Sequence, residues 1–189
     1  MRIGLYFGSF NPIHVGHLII ANFIANNVDI DQVWFIISPQ NPLKQNTTLL
    51  NKYHRKYLVD IAIEGEKKLK TSAIEFSLPI PSYTIDTLAY LSEKYPDNLF
   101  SIVIGSDSLQ NILKWKNGEV LLERYQFLVY ERPGFKVENA TGQNINILKA
   151  PLLDISSTKI RKMIKNGMSI KFFVPDLVKE EIERNHYYK

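Results

Sequence analysis

The chain has 189 residues, 45% apolar and 22% charged, with a net charge of +4, a globular composition sized for one domain over residues 1–189. The absence of cysteine excludes disulfides and thiolate metal sites, and the mild, scattered basicity suits an anionic ligand without indicating nucleic acid. No apolar run approaches the roughly 20 residues that span a bilayer, and Met1-Arg2-Ile3 leads straight into a strand without a signal-peptide layout, so no membrane partner is expected and a cytoplasmic location is.

Strand-like and helix-like segments alternate along the chain. Residues 3–7 form the first expected strand and 17–27 the first helix, with Leu18, Ala21, Ile24 and Ala25 at helical spacing. A second strand is expected at 32–38, a loop at 39–50 and a helix at 51–64. Residues 71–78 read as a third strand, 82–94 as a helix and 99–105 as a fourth strand. Helical pieces follow over 108–124, broken near Asn117-Gly118. Strands at 126–130 and 145–148 and helices at 157–166 and 175–184 complete the chain, with Gly167 a plausible helix stop. Such alternation predicts an α/β fold: a Rossmann-like, open, mostly parallel sheet with helices on both faces. Ligands of such sheets bind beyond the carboxyl ends of the strands.

The first chemistry-bearing segment sits at such an end. Residues 7–17 read FGSFNPIHVGH. A buried strand ends in small residues and turns into a helix that carries two imidazoles around Gly16. The turn frees backbone N–H groups, and the helix start adds more with a favourable dipole. Gly8 is expected to turn the chain where a Cβ would obstruct a phosphate. The segment is neither a Walker loop nor a G-x-G-x-x-G fingerprint. With His54 and His186 the only other histidines, a closed zinc site is not expected. The second segment, at 155–161, reads ISSTKIR. Capping by Ser156 or Ser157 would need only one hydroxyl. A bound polyphosphate would use the N–H groups, both hydroxyls and the Arg161 fork together.

These two segments are similar to the (His/Thr)-x-Gly-His signature and the ATP-phosphate signature of the nucleotidyltransferase superfamily. Further stretches narrow the resemblance: 38–44 (SPQNPLK), 82–88 (SYTIDTL), 105–108 (GSDS), Trp115, Arg132-Pro133-Gly134 and the ending from Val174-Pro175 to Tyr188. Together they resemble the bacterial nicotinate-nucleotide adenylyltransferases, nearly end to end and in the same order. Three departures stand out. Phe7 replaces the family's first glycine, Asn11 its aspartate, and Asn41-Pro42-Leu43-Lys44 its Pro-Pro-His-Lys.

The resemblance implies transfer of the adenylyl group of ATP to nicotinate mononucleotide, giving nicotinate adenine dinucleotide and pyrophosphate. The nucleophile is already an anion, so the protein must supply alignment and neutralisation of growing charge. By resemblance His17 would contact the α-phosphate and His14 would hold the phosphates. Ser156, Ser157 and Arg161 would cradle the leaving group. Gly8, Ser9, Phe10, Gly105, Asp107 and Ile155 would complete the ATP site, with Asp107 at the ribose. Mg²⁺ would bridge phosphates and water rather than sit in a protein cage. On the mononucleotide side Thr84 would offer backbone N–H groups to the pyridine carboxylate, Trp115 would stack on the ring, and Lys44 and Arg132 would meet phosphate or carboxylate. Trp115 also fits a core or surface aromatic, Lys44 a solvated loop charge and Arg55 a helix-surface cation. Pantetheine-phosphate adenylyltransferase, whose opening usually carries threonine where His14 stands, is one alternative. A non-catalytic nucleotide- or RNA-binding module is another. The sequence leaves the oligomeric state open, a homo-oligomer included.

Overall fold

The computed structural model describes residues 1–40, 49–135, 137 and 144–189. Six strands form one sheet: β1 (Arg2–Gly8), β2 (Gln32–Ile37), β3 (Leu69–Ser72), β4 (Leu99–Gly105), β5 (Gln126–Tyr130) and β6 (Ile145–Leu148). Their order is β3-β2-β1-β4-β5-β6, and every adjacent pair is parallel. The order reverses between β1 and β4, which opens a crevice at their carboxyl ends.

Seven α-helices accompany the sheet among the described residues: α1 (Val15–Asn27), α2 (Lys52–Ala62), α3 (Thr84–Lys94), α4 (Ser106–Leu109), α5 (Gly118–Arg124), α6 (Ser157–Lys165) and α7 (Asp176–Arg184). Strand periodicity divides the core in two, because successive side chains point to opposite faces. Ile3, Leu5, Ile102, Ile104, Phe127 and Val129 pack on one face with Leu88 and Leu91 of α3 and Leu121 of α5. Tyr6, Val33, Phe35, Ile37, Val103 and Leu128 pack on the other with residues of α1, α2, α6 and α7. Strands covered on both faces read as unbroken apolar runs, which is why β1, β4 and β5 stand out in the sequence.

Two expectations are corrected. The third strand ends at Ser72, and Ile74–Ser77 is a turn of 3-10 helix. The alternation of Ile74, Phe76 and Leu78 imitates a strand, but Glu75 between the first two is buried at 2% exposure. A carboxylate cannot stay there unpaired. The tight turn delivers it to the hydroxyls of Ser82, at 2.6 Å, and Thr87, at 2.9 Å. The first helix begins at Val15, two residues earlier than expected, because His14 caps it.

Candidate active site

A cleft of about 320 Å³ lies over the carboxyl ends of β1 and β4, within the size range of small-molecule sites. It gathers Gly8, Ser9, Phe10, His14, His17, Gly105, Asp107, Ser156, Ser157 and Arg161 on one side. Thr84, Trp115 and Arg132 also line it. Ile155 does not reach this lining and packs half-buried against the core. Lys44 lies outside the described residues, as do the neighbouring Asn41, Pro42 and Leu43.

The two histidines are held as a pair. His14 Nδ1 accepts the His17 backbone N–H at 3.4 Å, so neutral His14 carries its proton on Nε2 and can donate from there. The rings stack with centroids 3.6 Å apart and planes 23° from parallel. Gly16 makes room for this, since a Cβ there would come within 3.0 Å of His14 Nδ1. His17 rests on the edges of Tyr6 and Phe10, and its Nδ1 is buried with no hydrogen-bond partner among the described residues. Burial, then the Arg132 charge, lowers the His14 pKa to about 3. His17 is held well below the ordinary range by burial, by His14 and by Arg132. Both imidazoles are therefore neutral donors at pH 7.

The turn before them is drawn into the protein. Phe10 takes a left-handed φ of +43°, and its ring is buried against Tyr6, Phe35 and His17. A Cβ on Gly8 would sit 2.8 Å from that ring. The glycine thus makes room for the Phe10 ring while it also lines the cleft. The second motif ties directly to this turn. Ser157 Oγ donates to the Pro12 carbonyl at 2.8 Å and Arg161 Nη1 to the Asn11 carbonyl at 2.7 Å. Ser156 Oγ accepts the Lys159 N–H at 3.3 Å, the cap of α6. Arg161 Nη2 donates to Thr158 Oγ1 at 3.3 Å, so Ser157 and both terminal nitrogens of Arg161 are already engaged within the protein.

Asp107 and Arg132 form a second polar group of the cleft. Asp107 Oδ2 meets Arg132 Nη1 at 3.2 Å, while Oδ1 is buried without a hydrogen-bond partner among the described residues. Arg132 was expected beside the mononucleotide residues. Its side chain lines the cleft paired with Asp107, and its backbone N–H donates to Ser106 Oγ at 2.9 Å. Beneath them Tyr6 and Tyr130 share a hydroxyl hydrogen bond of 3.1 Å, and burial pushes both phenols above their usual range.

The far end of the cleft is built differently. Helix α3 starts after Tyr83, which supplies no side-chain cap. The Asp86 and Thr87 N–H groups bond back to the Tyr83 carbonyl. Those of Thr84 and Ile85 have no hydrogen-bond partner among the described residues, as suits a helix start facing an anion. Trp115 is half-buried on the core while also lining the cleft. Lys116 bonds Asp86 at 2.8 Å and lies over the Tyr83 ring. Two buried polar residues carry roles that the sequence does not display. Glu75 lines the cleft, and its signal was only a lone acid in an apolar stretch. Arg55, at the histidine end, is fully buried and bonds four carbonyls, which corrects its expectation as a helix-surface cation.

A model of the cytidylyltransferase-like family matches residues 5–163. A protein of Flavobacterium psychrophilum named "Probable nicotinate-nucleotide adenylyltransferase" is 50% identical, with 100% of each chain covered. One of the same name from Cytophaga hutchinsonii is 48% identical over 100% of this chain and 98% of its own. Among solved structures, a Plasmodium falciparum nicotinic acid mononucleotide adenylyltransferase complexed with NaAD superposes with a TM-score of 0.87. It is 26% identical, covering 99% of this chain and 97% of that one. The chain belongs to the cytidylyltransferase-like family and, within it, to the nicotinate-nucleotide adenylyltransferases.

Proposed function

We propose that this chain transfers the adenylyl group of ATP to nicotinate mononucleotide, releasing pyrophosphate, as a step of NAD biosynthesis. The observation that carries the reading is the direct joining of the two phosphate motifs across one cleft, beside a stacked pair of neutral imidazoles. The mononucleotide's phosphate attacks the α-phosphorus in line. The P–O bond to the β-phosphate breaks as the new P–O bond forms, and pyrophosphate leaves. No general base is required, because the attacking oxygen is already anionic. His17 donates to an α-phosphate oxygen as its charge grows, and His14 Nε2–H adds a second neutral donor. Arg161, with the N–H groups at the start of α6, holds the leaving phosphates. The buried Asp107 Oδ1 suits a ribose hydroxyl as its missing partner. At the other end, the Thr84 and Ile85 N–H groups receive the pyridine carboxylate and Trp115 stacks on the ring.

Among the described residues no group of three His, Asp or Glu side chains could hold a metal ion. Mg²⁺ would be held through the substrate phosphates rather than by a protein cage, and would offset their charge. Residues 1–189 act as one nucleotidyltransferase domain in the cytoplasm; among the described residues no helix is long and apolar enough to cross a membrane. The test is pyrophosphate release from ATP and Mg²⁺ with nicotinate mononucleotide, pantetheine phosphate or no acceptor. Release with the first alone is expected. Release with pantetheine phosphate alone, or with no acceptor needed, would overturn the assignment.

A further inference from the structure

Three carbonyls of the turn at 8–12 are each taken by a donor from elsewhere in the chain. Arg55 Nη1 donates to the Ser9 carbonyl at 2.6 Å, Arg161 to that of Asn11 and Ser157 to that of Pro12. A trans peptide unit carries its C=O and N–H on opposite sides. Drawing the Ser9 carbonyl toward Arg55, which does not line the cleft, therefore turns the Phe10 N–H away from Arg55. A polyphosphate site needs this polarity, because carbonyl oxygens repel an anion and amide N–H groups attract it. The Ser9 and Phe10 N–H groups have no hydrogen-bond partner among the described residues.

We propose that Arg55 is a positioning residue for the triphosphate of ATP, fixing the turn at 8–12 so that it shows amide hydrogens rather than carbonyl oxygens to the cleft. Its side chain is wholly buried. Besides Ser9 it bonds the carbonyls of Leu50 at 2.7 Å, Ser38 at 2.8 Å and Pro39 at 3.1 Å. One guanidinium thus ties the carbonyls of Ser38, Pro39 and Leu50 to the phosphate turn. Burial lowers its pKa only to about 10, which leaves it cationic at neutral pH. Lysine cannot replace it, since a single nitrogen cannot reach carbonyls spread around a planar fork. The inference rests on the adenylyl-transfer reading only for the identity of the anion.

The test compares Arg55→Lys with the unmodified protein, using inorganic tripolyphosphate and ATP as calorimetric probes alongside steady-state kinetics. Affinity for both probes and the KM for ATP should worsen at least tenfold, while the KM for nicotinate mononucleotide moves less than twofold. A variant that stays folded by circular dichroism and keeps its tripolyphosphate affinity within twofold overturns the proposal. Equal losses for both substrates do the same. Amide hydrogen exchange of the unmodified protein decides the matter even if no Arg55 variant folds. Tripolyphosphate should slow exchange at Ser9 and Phe10, and unchanged rates there overturn the inference. Should the mononucleotide fail to react while Arg55→Lys still loses tripolyphosphate, the acceptor assignment fails and the role of Arg55 stands.

Discussion

At the histidine end of the cleft, the polar groups are held before any ligand arrives. Arg55, Ser157 and Arg161 grip the turn, His14 caps α1, and His17 is wedged between aromatic edges. At the α3 end the first helical N–H groups are uncapped, and the charged pair nearby, Lys116 with Asp86, is nearly half exposed on both sides. The contrast follows from what each end must do. Charge that develops during a reaction is stabilised best by donors that need no rearrangement. Holding a flat ring and a carboxylate needs only a helix start and an aromatic face. Changes at the first end should therefore act on turnover, folding and ATP binding, and changes at the second on mononucleotide binding.

The largest test of that contrast is His17→Ala. Removing one preorganised donor should raise the barrier by about 2.7–4 kcal/mol, roughly a hundredfold or more in kcat, with a melting curve that shows a folded protein. Near-normal turnover would remove His17 from the chemistry. Acid should strike the same end next. His14 is neutral in the folded state down to pH about 3, whereas the unfolded chain takes up this proton below about 6.5. Its stability contribution is thus complete above pH 6.5 and falls as pH drops toward 3, by about 2 kcal/mol at pH 5. Chemical denaturation at pH 7 and pH 5 should show this loss, and His14→Gln should make the difference smaller.

At the α3 end the effects should be smaller and confined to one substrate. Trp115→Ala should raise the KM for nicotinate mononucleotide by a factor corresponding to about 0.5–1.5 kcal/mol of ring contact, with the KM for ATP unchanged. A matching rise for ATP would erase the distinction between the two ends. Asp86→Asn, which breaks the exposed pair with Lys116, should move stability by less than about 1 kcal/mol, measured by urea titration. A larger loss would show that this end is as firmly built as the other.

The sequence displayed the sheet well, because strands buried on both faces appear as apolar runs such as Ile102-Val103-Ile104. It displayed the two phosphate motifs for a different reason: their residue types are unusual together. What it hid were polar groups whose partners come from far away. Glu75 looked like a strand residue because only folding reveals the Ser82 and Thr87 hydroxyls that receive it. Arg55 sits in an ordinary helical stretch, and its four carbonyls converge from three separate places in the chain. Arg132 was legible as a cleft residue, but its pairing with Asp107 depends on how β4 and β5 lie side by side.

The bonds from Ser157 to Pro12 and from Arg161 to Asn11 span 145 and 150 positions of the chain. In the order of synthesis, the two imidazole residues come early and the other half of the grip almost last. A chain that stops before residue 157 therefore lacks both of the late donors that hold the turn at 8–12.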